Sequence, residues 1–356
     1  MSRAFNFSAG PATLPEPVML EVQRDLLDYQ GSGTSVVEIS HRSPAFMDIA
    51  QRAEASLRRL LNVSEDYLVL FLQGGATLQF AMVPLNLSVQ GETVEYLDTG
   101  LWSQKAISEA SYLRNVHVVA SSTDSVPDAS TWDRTSNSQY LHITSNETIS
   151  GVQIPDYPLD DGVTLVADMT SDILTRHLDI DKFGLVYAGT QKNMGPSGVS
   201  IVIVRKDLCR EPRQGEPLYL NYRIHAENDS MYNTPNTFAW YVSGLVFDWL
   251  LYEGGVAEMQ RRCEEKSRKI YRVINDSSLY FSTVEPAFRS KVNVTFSIRD
   301  ESLTDKFLTK AAEANIVNIK GHRKVGGFRV SLYNGVTIEA VDALVDFMET
   351  FEREIA

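Results

Sequence analysis

At 356 residues the chain is too long for one small core and suits a large domain with a smaller companion. Its 43% hydrophobic and 22% charged content is that of an ordinary soluble globular protein, and a net charge of −13 with no basic stripe argues against a nucleic-acid partner. Cys209 and Cys263 stand far apart without metal-ligand spacing, so neither a metal site nor a disulfide is expected.

The N-terminus has no apolar targeting core and no run reaches the length of a membrane span, so a soluble, cytoplasmic chain is expected. Phe5 to Ala12 forms an extended, turn-rich arm. Pro15 and Pro17 then open a helix with Val18, Val22 and Leu26 on its apolar face, ended by Gly31 and Gly33. Ser43 is placed to cap the next helix, with Pro44 at its first position and Ile49, Ala53, Leu57 and Leu60 along one side to about Leu61. His41 and Arg42 fall just before that start, where both could face a cleft, although a solvated loop pair is the plainer reading.

Tyr67 to Leu72 reads as a buried strand, followed by Gln73-Gly74-Gly75-Ala76-Thr77 and a helical segment from Leu78 to Val83. Strand, Gly-Gly turn and helix start can cradle an anion, because free amides and the positive end of the helix dipole converge there. Simple chain reversal would also use such a turn, and it is neither a Walker A loop nor a G-x-G-x-x-G fingerprint. The alternation continues through strands at Thr93–Leu97, Val116–Ala120, Tyr140–Thr144 and Thr164–Ala167, with a helix from Trp102 to Leu113. Repeated strand-then-helix spacing predicts an α/β fold with a mainly parallel, doubly wound sheet, whose ligands sit at the carboxyl ends of the strands. Trp102, Thr148, Asp168 and Lys192 all fall at or just past such ends. Each has a plain alternative as a core aromatic, a turn hydroxyl, an N-cap or a solvent-seeking turn lysine, but four together at one edge are harder to explain separately.

Lys192 sits in Ala188-Gly189-Thr190-Gln191-Lys192-Asn193-Met194-Gly195-Pro196-Ser197-Gly198, between the apolar runs Leu185–Tyr187 and Val199–Val204. A lysine partly desolvated between core strands has a lowered pKa and can form a Schiff base with a carbonyl. Beyond Arg205 a charged, proline-bearing connection leads to the loop Met231 to Thr237, then to a long apolar helix, Phe238 to Tyr252, closed by Gly254-Gly255. A helix from about Val256 to Asn275 leads to a strand at Val292–Ile298 and to Ser302 with Asp305, which read as a capping box. A strand at Gly326–Tyr333 and a final helix from about Ile338 to Arg353 complete a small α+β unit.

These motifs resemble the phosphoserine aminotransferase family, class V aminotransferases of fold type I that use pyridoxal phosphate. The resemblance spans nearly the full chain and rests on Phe5 to Pro11, Ser40 to Ser43, Leu72 to Ala76, Ala167 to Ile173, Gln191-Lys192-Asn193, Tyr232 to Pro235, and Gly321-His322-Arg323 with Gly327-Phe328-Arg329. It implies a large domain at 16–264, with a mostly parallel seven-stranded sheet, and a small α+β domain made of 1–15 with 265–356. It further implies that Lys192 holds the cofactor and moves the α-proton, while Asp168 pairs with the pyridine nitrogen. Trp102 would stack on the ring and Thr148 would bond its phenolic oxygen. Ala76, Thr77 and Gln191 would hold the phosphate, joined by Asn233 and Thr234 from the neighbouring subunit of a homodimer. On the substrate side Arg329 suits the α-carboxylate with Ser8 nearby, and His41, Arg42, His322 and Arg323 suit the distal anion.

The implied reaction exchanges an amino group between phosphoserine and 2-oxoglutarate, or between glutamate and 3-phosphohydroxypyruvate, in serine biosynthesis. A second activity on 3-hydroxy-2-oxo-4-phosphobutanoate and 4-phosphohydroxy-threonine, in vitamin B6 synthesis, is a further possibility. Competing readings are another fold-type I enzyme such as a cysteine desulfurase, which needs a reactive cysteine in a cleft loop, and a cofactor-free binding protein, which should have lost Lys192 or Asp168. Two departures stand out: Pro235-Asn236-Thr237 where the family usually has Pro-Pro-Thr, and Tyr333-Asn334-Gly335 where Tyr-Asn-Ala is common. The first is expected to alter loop stiffness, and the second to be mild.

Overall fold

The computed structural model describes residues 3–157 and 162–355. In chain order the elements begin with β1 (Phe5–Asn6), α1 (Glu16–Asp25), α2 (Pro44–Leu61), β2 (Tyr67–Leu72), α3 (Gly75–Leu87), β3 (Thr93–Asp98), α4 (Leu101–Ser111) and β4 (Asn115–Ser121). They continue with β5 (Leu141–Thr144), β6 (Leu165–Asp168), β7 (Leu185–Gly189), β8 (Ser200–Arg205), α5 (Tyr222–Ala226), α6 (Thr237–Tyr252) and α7 (Gly255–Asp276). The last are β9 (Tyr280–Phe281), β10 (Asn293–Ile298), α8 (Thr304–Glu313), β11 (Ile316–Val317), β12 (Phe328–Ser331) and α9 (Ile338–Ile355). No helix among the described residues is long and apolar enough to cross a membrane.

Seven strands form one sheet in the order β2-β8-β7-β6-β5-β3-β4, parallel from β7 through β4, with β8 antiparallel to both neighbours. Side chains alternate across a strand, so consecutive apolar residues bury themselves on opposite faces. Val69, Phe71, Ala167, Val186 and Ile203 join the core built with α1, α2 and α6, whereas Leu70, Leu72, Val166, Leu185 and Val202 join the core under α3 and α4. A separate cluster gathers Phe7 with Ile270, Val294, Phe307, Val330, Leu344 and Met348, around the three-stranded sheet β12-β10-β9 and helices α7 to α9.

Register decides where the chain turns back. Leu72 at the end of β2 and Gly189 at the end of β7 both lie opposite Ser200, the first residue of β8. The loops after β2 and β7 therefore leave the sheet at the same edge, two strands apart. On the parallel side Thr144, Asp168 and Tyr187 occupy one rung across β5, β6 and β7.

Local signals mostly act as expected. The Ser43 hydroxyl accepts the Phe46 N–H at 3.3 Å and Pro44 is the first helical residue of α2, which ends on Asn62 in the left-handed region. Four expectations are revised. Leu26 is exposed, because α1 stops at Asp25 with only Val18, Val22 and Asp25 buried. Ser302 does not cap α8: its hydroxyl donates to Asp300 Oδ1 at 2.6 Å within a 3₁₀ turn, which delays the helix to Thr304. Asn236, expected to affect stiffness, caps α6 by accepting the Ala239 N–H at 3.1 Å. Gly335 is also more than a mild change, since a Cβ there would stand 2.2 Å from the Thr13 carbonyl oxygen.

Candidate active site

The convergent loops enclose a cavity lined by Gly75, Ala76, Thr77, Trp102, Thr144, Asn146, Thr148, Asp168, Thr170, Ser171, Gln191 and Lys192. Gly74 at φ 92° and Gly75 at φ 65° make the turn out of β2, and the first residues of α3, Gly75 to Thr77, line the cavity with first-turn amides that have no partner inside the helix. The four residues expected from strand ends are thus brought together. Lys192 Nζ donates to Thr148 Oγ1 at 2.5 Å and lies 5.7 Å from the centre of the Trp102 ring. The loop carrying it is fixed on both sides. The Asn193 amide donates to the Ser171 carbonyl at 3.0 Å, Asn334 N–H donates to Asn193 Oδ1 at 3.2 Å, and Ala12 N–H donates to the Gln191 carbonyl at 2.9 Å.

Burial pulls the Lys192 ammonium down to about 8, against the attraction of Asp168, and Arg329 lowers it further. Burial pushes the Asp168 carboxyl upward, while the Thr170 hydroxyl and N–H, the latter at 2.9 Å, and the charge of Lys192 hold it down. A lysine must lose its proton before its amine can attack a carbonyl. Capture of an aldehyde by the apoprotein should therefore speed up about tenfold between pH 7 and pH 9, with its midpoint near 8. Stopped-flow absorption across that range checks this; a flat profile, or a midpoint above 10, would contradict it.

A second carboxylate, not singled out from sequence, is buried here. Glu147 accepts the Trp102 N–H at 2.9 Å and the Ser103 N–H at 2.8 Å, and burial pushes it up to about 7. A buried polar chain continues from the floor. Asn146 Nδ2 donates to Ser171 Oγ and to Asn293 Oδ1, both at 2.8 Å; Asn293 Nδ2 donates to Tyr333 Oη at 3.1 Å; and Tyr333 donates to the Ala9 carbonyl at 2.9 Å. It ties the cavity to β10 and to the N-terminal arm, and Thr295 on β10 lies opposite Arg329 on β12.

The Arg329 guanidinium is partly buried and has no carboxylate partner among the described residues. His322 Nδ1 accepts the Lys324 N–H at 3.3 Å, and burial together with Arg329, Arg323, Lys324 and Lys105 discourages its protonation. Lys105, also missed from sequence, places its ammonium 4.2 Å from the centre of the Trp102 ring. Ser8 N–H donates to Asn6 Oδ1 at 3.0 Å in the arm, outside the cavity. His41 and Arg42 lie in the turn before α2, also outside it. Asn233 and Thr234 are exposed, and Gln73 of the same chain donates to Asn233 Oδ1 at 3.3 Å and to the Thr234 carbonyl at 3.2 Å. Neither cysteine lines the cavity; burial pushes the Cys263 thiol up to about 11 and the Cys209 thiol up to about 12, which leaves both unreactive.

The lining suits a flat, polar, anionic aromatic group. Trp102 Nε1 and Thr144 Oγ1 are buried without a partner among the described residues, the glycine turn opens a helix whose first amides lack intrahelical partners, and a carboxylate and an amine line the same space. Thr144, the last residue of the expected strand Tyr140–Thr144, obeys the same strand-end rule that found its neighbours, although it was not singled out as a site residue.

Comparison with known proteins agrees with this chemistry. The model of the class-V aminotransferase family matches residues 4–344. A phosphoserine aminotransferase of Chromobacterium violaceum is 50% identical over 360 residues, covering 99% of both chains. The crystal structure of phosphoserine aminotransferase from Bacillus circulans subsp. alkalophilus superposes with a TM-score of 0.97 at 43% identity, covering 99% of each chain. The pyridoxal-phosphate-bound enzyme of Trichomonas vaginalis does so at 0.93 and 37%, covering 98% of this chain and 100% of that one. The chain therefore belongs to the class-V aminotransferase family, in its phosphoserine aminotransferase branch, and is an enzyme that works with pyridoxal phosphate.

Proposed function

We propose that this chain moves the amino group of glutamate onto 3-phosphohydroxypyruvate, giving phosphoserine and 2-oxoglutarate in two half-reactions at one site, as a step of serine synthesis in the cytoplasm. The observation carrying this reading is a set of cations without acidic partners among the described residues, Arg329, His322 and Arg323, set against Lys192 and Asp168 in a chain of net charge −13. The two substrates share an α-carboxylate and differ in a distal carboxylate or phosphate, so one bidentate arginine and one adaptable cationic pocket serve both.

Pyridoxal phosphate, when bound, supplies a carbonyl for the amino group and a ring that takes up electrons. Ala76 and Thr77 amides and the Gln191 side chain hold its phosphate, Trp102 covers a ring face, and Thr148 directs a hydroxyl to the phenolic oxygen. Asp168 keeps the ring nitrogen protonated. Lys192 removes the substrate's α-proton and returns it. Ser8 and Arg329 grip the α-carboxylate, and His41, Arg42, His322 and Arg323 take the distal anion.

Asn233 and Thr234 complete the phosphate site of a second copy, so the working unit is a homodimer. Their exposure outside their own chain's cavity supports this. We further assign 16–264 to a large domain and 1–15 with 265–356 to a small one, supported by the separate apolar cluster around Phe7, Ile270 and Met348. A monomer in sedimentation at micromolar concentration would sink the shared site.

Steady-state assays test the reaction. Turnover of glutamate with 3-phosphohydroxypyruvate is expected, and Arg329→Lys should raise KM for both substrates roughly 10- to 100-fold, as loss of a charged bidentate contact does. No turnover in the wild type would refute the reading. A site whose cations grip a distal phosphate needs only room for one more intervening carbon, which favours a second activity on 4-phosphohydroxy-threonine. Absence of turnover of that compound would remove it.

A further inference from the structure

Trp102 lies in the first turn of α4 and Thr148 in the loop after β5, yet their places depend on one side chain. Glu147 is fully buried just past the carboxyl end of β5, 45 residues after Trp102, whose helix it serves. Its Oε2 takes the Trp102 N–H at 2.9 Å, and its Oε1 takes the Ser103 N–H at 2.8 Å and the Ser103 hydroxyl at 3.0 Å. These are first-turn amides of α4, which have no partner inside the helix, and the negative charge lies at the positive end of the helix dipole. No local residue does this work, since Gly100 precedes the helix without a side chain. Nor could one be added there: a Cβ at Gly100 would stand 2.8 Å from the Glu147 carboxyl carbon, on a backbone at φ 155°. The next residue along the chain is Thr148, whose hydroxyl takes Lys192 Nζ at 2.5 Å.

We propose that Glu147 is a positioning residue, which locks the ring of Trp102 against the Thr148–Lys192 pair and so sets the spacing of the cofactor slot. The carboxylate does not line the cavity and touches no reacting atom. It acts by fixing one wall relative to the other. Both of its oxygens are in use, so an amide cannot replace it: Glu147→Gln keeps one acceptor and turns an N–H toward a backbone N–H.

This rests on reading the cavity as the pyridoxal phosphate site, and the two claims fail separately. Titration of wild-type apoprotein with pyridoxal 5′-phosphate tests the site itself, and no binding there would remove that reading. The role of Glu147 is tested by a double-mutant cycle of Glu147→Gln with Trp102→Ala, read by the dissociation constant of pyridoxal 5′-phosphate and the visible circular dichroism of the bound form. Glu147→Gln is expected to weaken binding about tenfold or more and to diminish the dichroism, on the scale by which supporting partners tune a bound group. In the Trp102→Ala background the same change should have little further effect on either quantity. Equal weakening in both backgrounds, or unchanged binding in the single variant, would overturn the proposal, because a residue that only stabilises the fold acts without regard to the indole. If Glu147→Gln does not fold, Glu147→Asp carries the same cycle, since it keeps the charge and withdraws the carboxylate by one methylene.

Discussion

Replacing Lys192 by alanine should cost at least about 10⁴-fold in turnover, because in the proposed reaction one amine both anchors the cofactor and moves the α-proton. The fold should survive. The ammonium is buried, and its protonation is pulled down to about 8 from an ordinary value of 10.5, so between those values the unfolded chain binds the proton that the folded one releases. Stability therefore rises with pH through that window, and at neutral pH the buried charge is a burden that alanine removes. The melting temperature of the apoprotein should stay level or rise, while the visible absorption of the bound cofactor loses its covalent signature. Partial recovery of rate with a small added amine would identify proton transfer as what was lost. Wild-type rates in the variant would end the assignment of Lys192.

Asp168→Asn should be the next most damaging change, lowering kcat by roughly 10²- to 10³-fold, the scale of losing one aligned charge in a dry site. The amide has the size of the carboxyl and can still accept the Thr170 N–H, so the packing of the β6 end is retained. What disappears is the negative charge that, on the proposed reading, would keep a facing ring nitrogen protonated. The sign of the stability effect separates this from simple damage. Burial raises the Asp168 carboxyl in the folded protein, so stability falls as pH rises from its unfolded value toward its folded one, and at neutral pH the charge again opposes folding of the apoprotein. A variant with normal kcat, or one that loses activity only because it melts earlier, would contradict the role. Single-turnover rates beside thermal scans distinguish the two.

Strand ends were legible because a short apolar run bounded by glycine leaves few choices. Tyr67–Leu72 and Leu185–Gly189 are each entirely or almost entirely buried, and the chain beyond each strand must turn at the sheet's edge. Ser43 with Pro44 was legible for a similar reason, since a cap acts within four residues. Contacts fixed by register were not. Glu147 serves a helix start far back in the chain, and nothing in Ser145-Asn146-Glu147-Thr148 states that α4 lies beside it. Lys105 is an ordinary surface lysine by pattern, and acquires meaning only through the Trp102 ring 4.2 Å away. Ser302 misled because Asp300 offers a stronger competing acceptor two residues earlier. Asn236 and Gly335 looked like minor departures until the Ala239 amide and the Thr13 carbonyl were seen against them.

The shared pairing of β2 and β7 on the antiparallel strand β8 also bears on when the enzyme becomes competent. Gly75 and Lys192 become neighbours only after β8, the one strand between β2 and β7, has paired with both, and such distant pairings close late and slowly. Binding that requires the finished pocket adds its free energy to the native state alone. Uptake of the yellow cofactor during refolding is thus a clock for completion of the whole sheet, and a newly made chain gains this stabilisation only once the sheet is complete.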